Sequence, residues 1–267
     1  MASLEGRVAL ITGAARGQGR SHALALAAEG CDIVALDVPK AMSVLTYPLA
    51  SEEDLRLTAK LVEESGRRCL ALPVDVRDPA AVQEAVEQTL AEFGHLDVAV
   101  ANAGVVQTGP LASVTEEIWD TLVGTNLTGV FHTLQSVLPP MRAARFGRII
   151  VTSSMGGRMG IPEQAAYNAT KWGVIGLARS VALEVAKEGV TVNVVAPCTV
   201  QTPMVQPDPE QEVPDELIRR FARHNPIPQP WIQAGDVTRA VVYLATDPGV
   251  LTGVIMEIGL GSSARLP

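Results

Sequence analysis

The sequence predicts an α/β fold, a doubly wound parallel sheet of about seven strands with helices on both faces. Short β-branched runs alternate with longer helical stretches along the whole chain. Runs such as RVALIT and VTVNVVA are too continuously apolar for a sheet with a solvated face, and read as strands covered on both sides. The 267 residues, 47% hydrophobic and 19% charged, suffice to bury a core without a disulfide or metal and argue against disorder.

Arg7–Thr12 reads as the first buried strand, followed by an alanine- and leucine-rich helix over Gln18–Glu29 that stops at Gly30. Asp32–Asp37 is the second strand. A loop, Val38–Ala50, carries Pro39 and Pro48. Ser51 with Asp54 forms an N-cap pair for a helix reaching Ser65, closed by Gly66. Arg68–Val76 is the third strand, and Pro79–Phe93 the third helix, with proline at a favoured first-turn position. Leu96–Ala101 is the fourth strand. Ser113 with Glu116 fits a capping box ahead of a long helical region reaching Ala144. Arg148–Ser153 is the fifth strand, Glu163–Glu188 one long helix, and Val190–Ala196 the sixth strand. Gln201–Pro230 is proline-rich and irregular, with a helical piece at Asp215–Arg223. Asp236 caps a helix to Thr246, and Val254–Ile258 is the last strand. Right-handed crossovers turn this order into a doubly wound sheet. No repeat, low-complexity segment or linker divides the chain, so residues 1–267 read as one domain. The irregular stretch is too long for a connector, and 201–232 reads as a substrate lid.

Composition excludes several functions. Lysine plus arginine is 21 and aspartate plus glutamate is 29, so the net charge of −8 argues against a nucleic-acid partner. No run of 18 apolar residues is present to span a membrane. The segment Met1–Gly6 is too polar and short for a signal peptide. Cys31, Cys69 and Cys198 are widely spaced and odd in number, which suits free thiols in a reducing cytoplasm. His22, His95, His132 and His224 show no ligand spacing, so no metal site is expected.

Thr12-Gly13-Ala14-Ala15-Arg16-Gly17-Gln18-Gly19 joins the first strand to the first helix. Glycines there permit a tight turn and a close backbone approach to a pyrophosphate, which the helix N-terminus attracts. An ordinary strand-to-helix turn uses glycines too. The loop is not G-x-G-x-x-G, and it lacks the G-K-[ST] ending of a nucleoside-triphosphate loop. Asp37 ends the second strand twenty residues after Gly17, where a carboxylate accepts hydrogen bonds from an adenosine ribose and repels a 2′-phosphate. That favours NAD. Arg16 points the other way, since it is able to reach a 2′-phosphate, but Val38 offers no basic partner beside the carboxylate.

Tyr167 and Lys171 lie four residues apart in a helix and share a face. At about 4 Å and an effective dielectric near 20, an ammonium attracts a phenolate by roughly 4 kcal/mol before desolvation. The expectation is a phenol lowered toward neutrality that acts as a general base. A plain helix-surface pair has the same spacing. Ser153 and Ser154 end a strand at its carboxyl edge, where ligands of open α/β sheets bind, and Asn102-Ala103-Gly104 ends another at that edge.

Taken together and in order, these motifs resemble the short-chain dehydrogenase/reductase family, a Rossmann-type fold, over nearly the whole chain. The matching pieces are TGAARGQG at 12–19, Asp75-Val76, Asn102-Ala103-Gly104, Asn126 within TNLTG, Ser154, and YNATK at 167–171. The thirteen-residue gap to Tyr167 selects Ser154 over Ser153. The resemblance implies that Tyr167 exchanges a proton with an alcohol or carbonyl and Ser154 holds the substrate oxygen. Lys171 lowers the tyrosine pKa and binds the nicotinamide ribose, and Asn126 positions a relay water. Gly13, Arg16, Gly17, Gln18, Gly19 and Asp37 would hold the NAD, with Asp75 and Val76 at the adenine and Asn102 and Gly104 lining the trough. Pro197, Val200 and Thr202 would border the nicotinamide. Within the family, AARGQGRSH at 14–22, the Val38–Ala50 insertion and the stretch 53–68 resemble an actinobacterial branch that includes carveol dehydrogenase-like and mycofactocin-associated enzymes. In that branch the longer loop covers an NAD that exchanges slowly, so an external electron carrier is implied. The chain departs from the family at Pro197-Cys198-Thr199, at Glu257-Ile258-Gly259, and at Ala101 before the Asn-Ala-Gly motif. Cys198 is expected to pack rather than to meet the nicotinamide.

The expected activity is hydride transfer between a secondary alcohol or ketone and NAD. The alternatives are an NADPH-dependent 3-oxoacyl or other carbonyl reductase, which Asp37 argues against, and a non-catalytic dinucleotide sensor. Met155, Met159, Ile161, Met204, Val205, Ile218, Phe221, Ile227 and Trp231 make the expected pocket walls mostly apolar. They suit a hydrophobic, terpenoid or cyclic substrate, or they pack the lid. By the same resemblance, the long helices near 115–144 and 163–188 would build a homotetramer.

Overall fold

A computed structural model describes residues 3–38, 41–206 and 212–265. Pro39 and residues 207–211 of the expected lid lie outside them. Among the described residues seven strands form one parallel sheet in the order β3-β2-β1-β4-β5-β6-β7. The strands are β1 (Val8–Thr12), β2 (Asp32–Asp37), β3 (Cys69–Pro73), β4 (Val98–Ala101), β5 (Gly147–Thr152), β6 (Val190–Pro197) and β7 (Ile255–Ile258). Every residue of β1, β4, β5 and β6 is buried, as strands covered on both faces require. The order reverses between β1 and β4, which pair as Ala9 with Val98 and Ile11 with Val100. The chain leaves β1 toward one face of the sheet and β4 toward the other, which opens a crevice beyond their carboxyl ends.

Helices α1 (Gly17–Ala28), α2 (Glu52–Glu64), α3 (Pro79–Phe93), α4 (Glu116–Val123), α5 (Gly129–Ala144), α6 (Ala165–Val185), α7 (Asp215–His224) and α8 (Ala234–Thr246) complete the fold. One core cluster packs α3, α5 and α6 on one sheet face through residues such as Val86, Leu134 and Ile149. The other packs α1, α2 and α8 on the opposite face through Leu26, Val62 and Leu244. Ser51 Oγ accepts from Asp54 N at 3.1 Å while the Asp54 carboxylate accepts from Ser51 N at 2.9 Å, the expected cap of α2. Asp78 caps α3 ahead of Pro79, and Gly94 ends it in the left-handed region.

Three expectations need correction. Ser113 does not cap a helix. It lies in a 3-10 turn with its hydroxyl donating to Pro110 O, and Thr115 caps α4 by accepting from Ile118 N at 3.2 Å. The region to Ala144 is not one helix, because a π-turn at Gly124–Thr128 separates α4 from α5. At the end of that turn, a Cβ on Gly129 would fall 2.5 Å from Val76 Cγ2, so the backbone approaches β3's following loop closely. Asp236 occupies the third position of α8, where its carboxylate accepts from Gln233 N at 2.7 Å; Gln233 holds the cap position. Among the described residues no helix is long and apolar enough to cross a membrane.

His22 of α1 is fully buried, with Nδ1 2.8 Å from Thr238 Oγ1 of α8. Burial pushes its imidazole down from 6.5 to about 3. Between those values the unfolded chain binds a proton that the native state does not, so stability rises with pH through this window. At pH 5 the native state should therefore have lost about 2 kcal/mol relative to pH 7.5 on this account alone. Urea unfolding of His22→Leu at both pH values should show a pH dependence smaller by that amount. An unchanged dependence would exclude a buried neutral imidazole.

Candidate active site

The crevice is built first by the turn after β1. Gly13 and Gly17 take φ values of 68° and 55°, which disfavour any side chain. A Cβ on Gly13 would sit 2.9 Å from Ala103 Cα, so the glycine turn and the loop after β4 touch backbone to backbone. Thr12 and Asn102 lock them. Thr12 Oγ1 accepts from the N–H groups of Asn102 and Ala103 at 3.0 Å each, and Asn102 Nδ2 donates to Thr12 O at 3.0 Å. Asp37 accepts from Ala15 N and Val38 N, each at 2.8 Å. Burial raises its carboxyl above the ordinary value, and those two N–H groups and the Arg16 charge oppose the rise.

The resulting cleft is lined by Gly13, Arg16, Gly17, Gln18, Gly19, Asp37, Asp75, Val76, Asn102, Gly104 and Thr202, all expected from the sequence. Asp75 carries an ion pair to Arg77 at 2.5 Å. Pro197 ends β6 and Val200 bridges Ile232; both are buried, and neither belongs to this lining. Cys198 packs against the second core cluster, and burial pushes its thiol up to about 11, which fits a packing residue. Gln18 Oε1 and Thr125 Oγ1 are buried in the cleft wall without a hydrogen-bond partner. An unpaired amide oxygen, an unpaired hydroxyl, the N–H groups of a glycine cradle at the start of α1 and a carboxylate on β2 offer the acceptors and donors that a dinucleotide satisfies, so the residues fit NAD.

Sequence reasoning placed the Val38–Ala50 loop near the cofactor only through the resemblance, and singled out none of its side chains. Met42, Tyr47 and Leu49 line the cleft, and Met42, Leu45 and Leu49 pack onto a small cluster of Val105, Leu122 and Ala166. Arg16 donates to the Pro48 carbonyl, so this guanidinium is engaged by the loop. A tyrosine among the apolar residues of a proline-bearing insertion was the available signal.

Beside the cleft, α6 carries Tyr167 and Lys171 on one face, with Lys171 Nζ 5.6 Å from the Tyr167 ring centre. Lys171 is 3% exposed and donates to Thr152 O at 2.9 Å. The two serines after β5 part company. Ser153 spends its hydroxyl on Lys171 O at 2.8 Å, whereas half-buried Ser154 hydrogen-bonds the Tyr167 phenol. The lowered phenol expected from the sequence is not found in the chain alone. Burial pushes Tyr167 up to about 12, against the Ser154 hydrogen bond that lowers it, and nearby Tyr47 adds to the rise. Burial also brings Lys171 down to about 8. The ammonium is held by a carbonyl, and desolvation outweighs its pull on the ring.

Asn126 lies in the π-turn and is fully buried. Its Oδ1 accepts from Val105 N, and its Nδ2 donates to Val105 O, both at 2.8 Å. A Cβ on Gly104 would fall 3.3 Å from Asn126 Oδ1 and 3.5 Å from Lys171 Nζ, so the glycine lets both groups reach the same spot.

A family model described as short chain dehydrogenase matches residues 7–213. The chain belongs to the short-chain dehydrogenase/reductase family. It is 39% identical to a (-)-trans-carveol dehydrogenase of Rhodococcus erythropolis over 99% of this chain and 100% of that protein. A crystal structure of carveol dehydrogenase from Mycobacterium avium in complex with NAD superposes with a TM-score of 0.94 at 40% identity, covering 99% of this chain and 100% of that one. A 3-oxoacyl-[acyl-carrier-protein] reductase of Staphylococcus aureus is 36% identical over 95% of this chain and 96% of that protein. The seven-stranded parallel sheet with helices on both sides is the fold expected of a short-chain dehydrogenase/reductase.

Proposed function

We propose that the protein is an NAD-dependent oxidoreductase that interconverts a hydrophobic secondary alcohol and its ketone. The observation that carries this reading is the hydrogen bond between Ser154 and Tyr167 on the same sheet edge as the glycine cradle, with Lys171 one turn along α6. Similarity to carveol dehydrogenases supports a terpenoid or other cyclic alcohol. The apolar Met204 in the cleft wall and the edge-on packing of Phe221 against Trp231, 6.5 Å between ring centres, fit such a substrate and a lid at 201–232. Asp37 and the engagement of Arg16 by Pro48 favour NAD over NADP, against the 3-oxoacyl reductase alternative.

Gly13, Gly17 and Gly19 would cradle the pyrophosphate, Asp37 would accept from the adenosine ribose, and Asp75 and Val76 would flank the adenine. Bound NAD supplies the hydride acceptor for oxidation and, reduced, the hydride donor for reduction. In oxidation Tyr167 takes the hydroxyl proton of the alcohol, and in reduction it returns it. Ser154 orients the substrate oxygen by hydrogen bonding. Lys171 offsets the phenolate charge that desolvation otherwise penalises, and Asn126 holds the backbone beside it. The half-exposed Phe131 of α5 and Trp172 of α6 support a symmetric tetramer built on those helices. The three free thiols suit the cytoplasm. The strap formed by residues 41–50 supports slow cofactor exchange, with an external carrier reoxidising the NAD.

Mass spectrometry of the small molecules released on denaturation should find NAD near one per chain. Carveol should then be oxidised with NAD, or with an artificial acceptor if the bound NAD does not exchange. NADP should be a poor substitute, and Asp37→Ser should narrow the preference. NAD binding without redox activity across a broad panel of alcohols and ketones would favour a sensor, and an NADP preference would favour a carbonyl reductase.

A further inference from the structure

One peptide group in the loop after β4 is gripped from both ends. The carbonyl of Val105 accepts from Asn126 Nδ2 at 2.8 Å, and the N–H of Val106, in the same peptide plane, donates to Tyr47 Oη at 2.9 Å. The neighbouring N–H, that of Val105, donates to Asn126 Oδ1 at 2.8 Å. Tyr47 is 9% exposed and comes from the segment between β2 and α2, some sixty residues away in sequence. On its far side Asn126 also donates to Thr170 Oγ1 at 3.3 Å, which in turn donates to Tyr167 O at 2.7 Å. A continuous hydrogen-bonded path therefore runs from the 41–50 segment to the helix turn bearing Tyr167 and Lys171.

We infer that Tyr47 is a positioning residue for the reaction: its hydroxyl fixes the Val105–Val106 peptide, and that peptide fixes Asn126 next to Lys171. The inference rests on the oxidoreductase reading above. A peptide polarised by a donor at its carbonyl and an acceptor at its N–H binds each more strongly than it would alone. Removing the hydroxyl leaves a half-buried N–H unpaired and frees the plane to rotate. Asn126 makes its two short bonds to Val105 and only a longer one to Thr170, so its orientation follows that rotation. The effect belongs on the catalytic step, where small displacements are expensive, and not on cofactor affinity. Two further ties hold the same segment without touching this peptide: Ser43 Oγ donates to Glu117 at 2.8 Å, and Arg16 donates to Pro48 O.

The test compares Tyr47→Phe with Ser43→Ala, using carveol and NAD. Tyr47→Phe should lower kcat by about fivefold to tenfold while KM for carveol and the Kd for NADH, read by its fluorescence, stay within about twofold. Ser43→Ala should leave kcat unchanged. Residue-resolved hydrogen exchange should show loss of protection at the Val105 N–H, which Asn126 holds, in Tyr47→Phe and not in Ser43→Ala. An unchanged kcat in Tyr47→Phe, a loss confined to NADH affinity, an equal kcat loss in Ser43→Ala, or an unaltered Val105 N–H would overturn the inference. If the wild-type protein turns over no alcohol or ketone, the oxidoreductase reading fails instead, and the Val105 exchange alone decides whether Tyr47 controls Asn126.

Discussion

Tyr167→Phe should lower kcat for alcohol oxidation by at least about a thousandfold while leaving the fold and NADH affinity near wild type. The substitution removes one oxygen. Its ring stays packed, and the Ser154 hydroxyl, which also accepts from Gly156 N at 3.1 Å, keeps a backbone partner. The proton of the alcohol then has no acceptor. A positioned general base contributes on the order of a hundredfold to ten-thousandfold, so the loss falls inside that range. The pH profile supplies a second readout. Only the phenolate accepts a proton, and burial has raised the phenol to about 12 in the chain alone, so oxidation should rise with pH through the neutral range. Reduction needs the protonated phenol and should hold at neutral pH. In Tyr167→Phe the residual oxidation should lose that slope. Substantial turnover in the variant, or an unchanged slope, would assign the proton transfer elsewhere.

The raised phenol also marks a boundary of what was legible in the sequence. Four-residue spacing places Tyr167 and Lys171 on one helix face, which the structure bears out. Spacing says nothing about how much water the pair loses. Desolvation reverses the expected direction of the shift, and Tyr47, distant in sequence, adds to the rise through its charge interaction. The sheet was legible for the opposite reason. A strand buried on both faces must be apolar at nearly every position, so VALIT and VTVNVVAP announce themselves locally, and their ends were misread by only a residue or two. The π-turn at 124–128 was not legible, because residues 116–144 keep a helical pattern on either side of it. The π-turn coincides with Asn126 bonding to Val105 and Gly129 lying against Val76, both long-range contacts. π-turns of this kind recur where a side chain must be re-aimed at a functional site. The 41–50 segment was readable as a loop, and as a cover for the cofactor only through the resemblance, since its apolar Met42, Leu45 and Leu49 follow no helical or strand period that would place them on the small cluster they complete.

Gly19→Ala should abolish stable NAD binding, although helix propensity alone predicts the reverse. Gly19 sits in the first turn of α1 with ordinary helical geometry, and alanine there would favour the helix by about 1 kcal/mol in open space. The space is not open. An added Cβ would fall 2.0 Å from Gly13 O, 2.7 Å from Gly13 C and 2.9 Å from Ala14 Cα, all backbone atoms. The turn cannot yield cheaply, because Ala14 N donates to Leu36 O at 3.0 Å, Ala15 N to Asp37 at 2.8 Å, and Asn102 holds Thr12 O from the other side. Relief of the clash must therefore displace the N–H groups that would face the pyrophosphate, or break the contacts that aim Asp37. NAD affinity should fall by at least about a hundredfold, and overpacking of this kind should cost about 1–3 kcal/mol of stability. Gly235→Ala is the control. It lies in the first turn of α8 with nothing within 4 Å of its Cβ position, so it should gain up to about 1 kcal/mol and bind NAD as the wild type does. Measuring NAD content per chain and urea midpoints for both variants separates the two effects. If Gly19→Ala retained a full complement of NAD, the approach of helix to turn would not be what forms the cradle, and the dinucleotide would have to be held chiefly by Asp37 and the residues after β3 and β4.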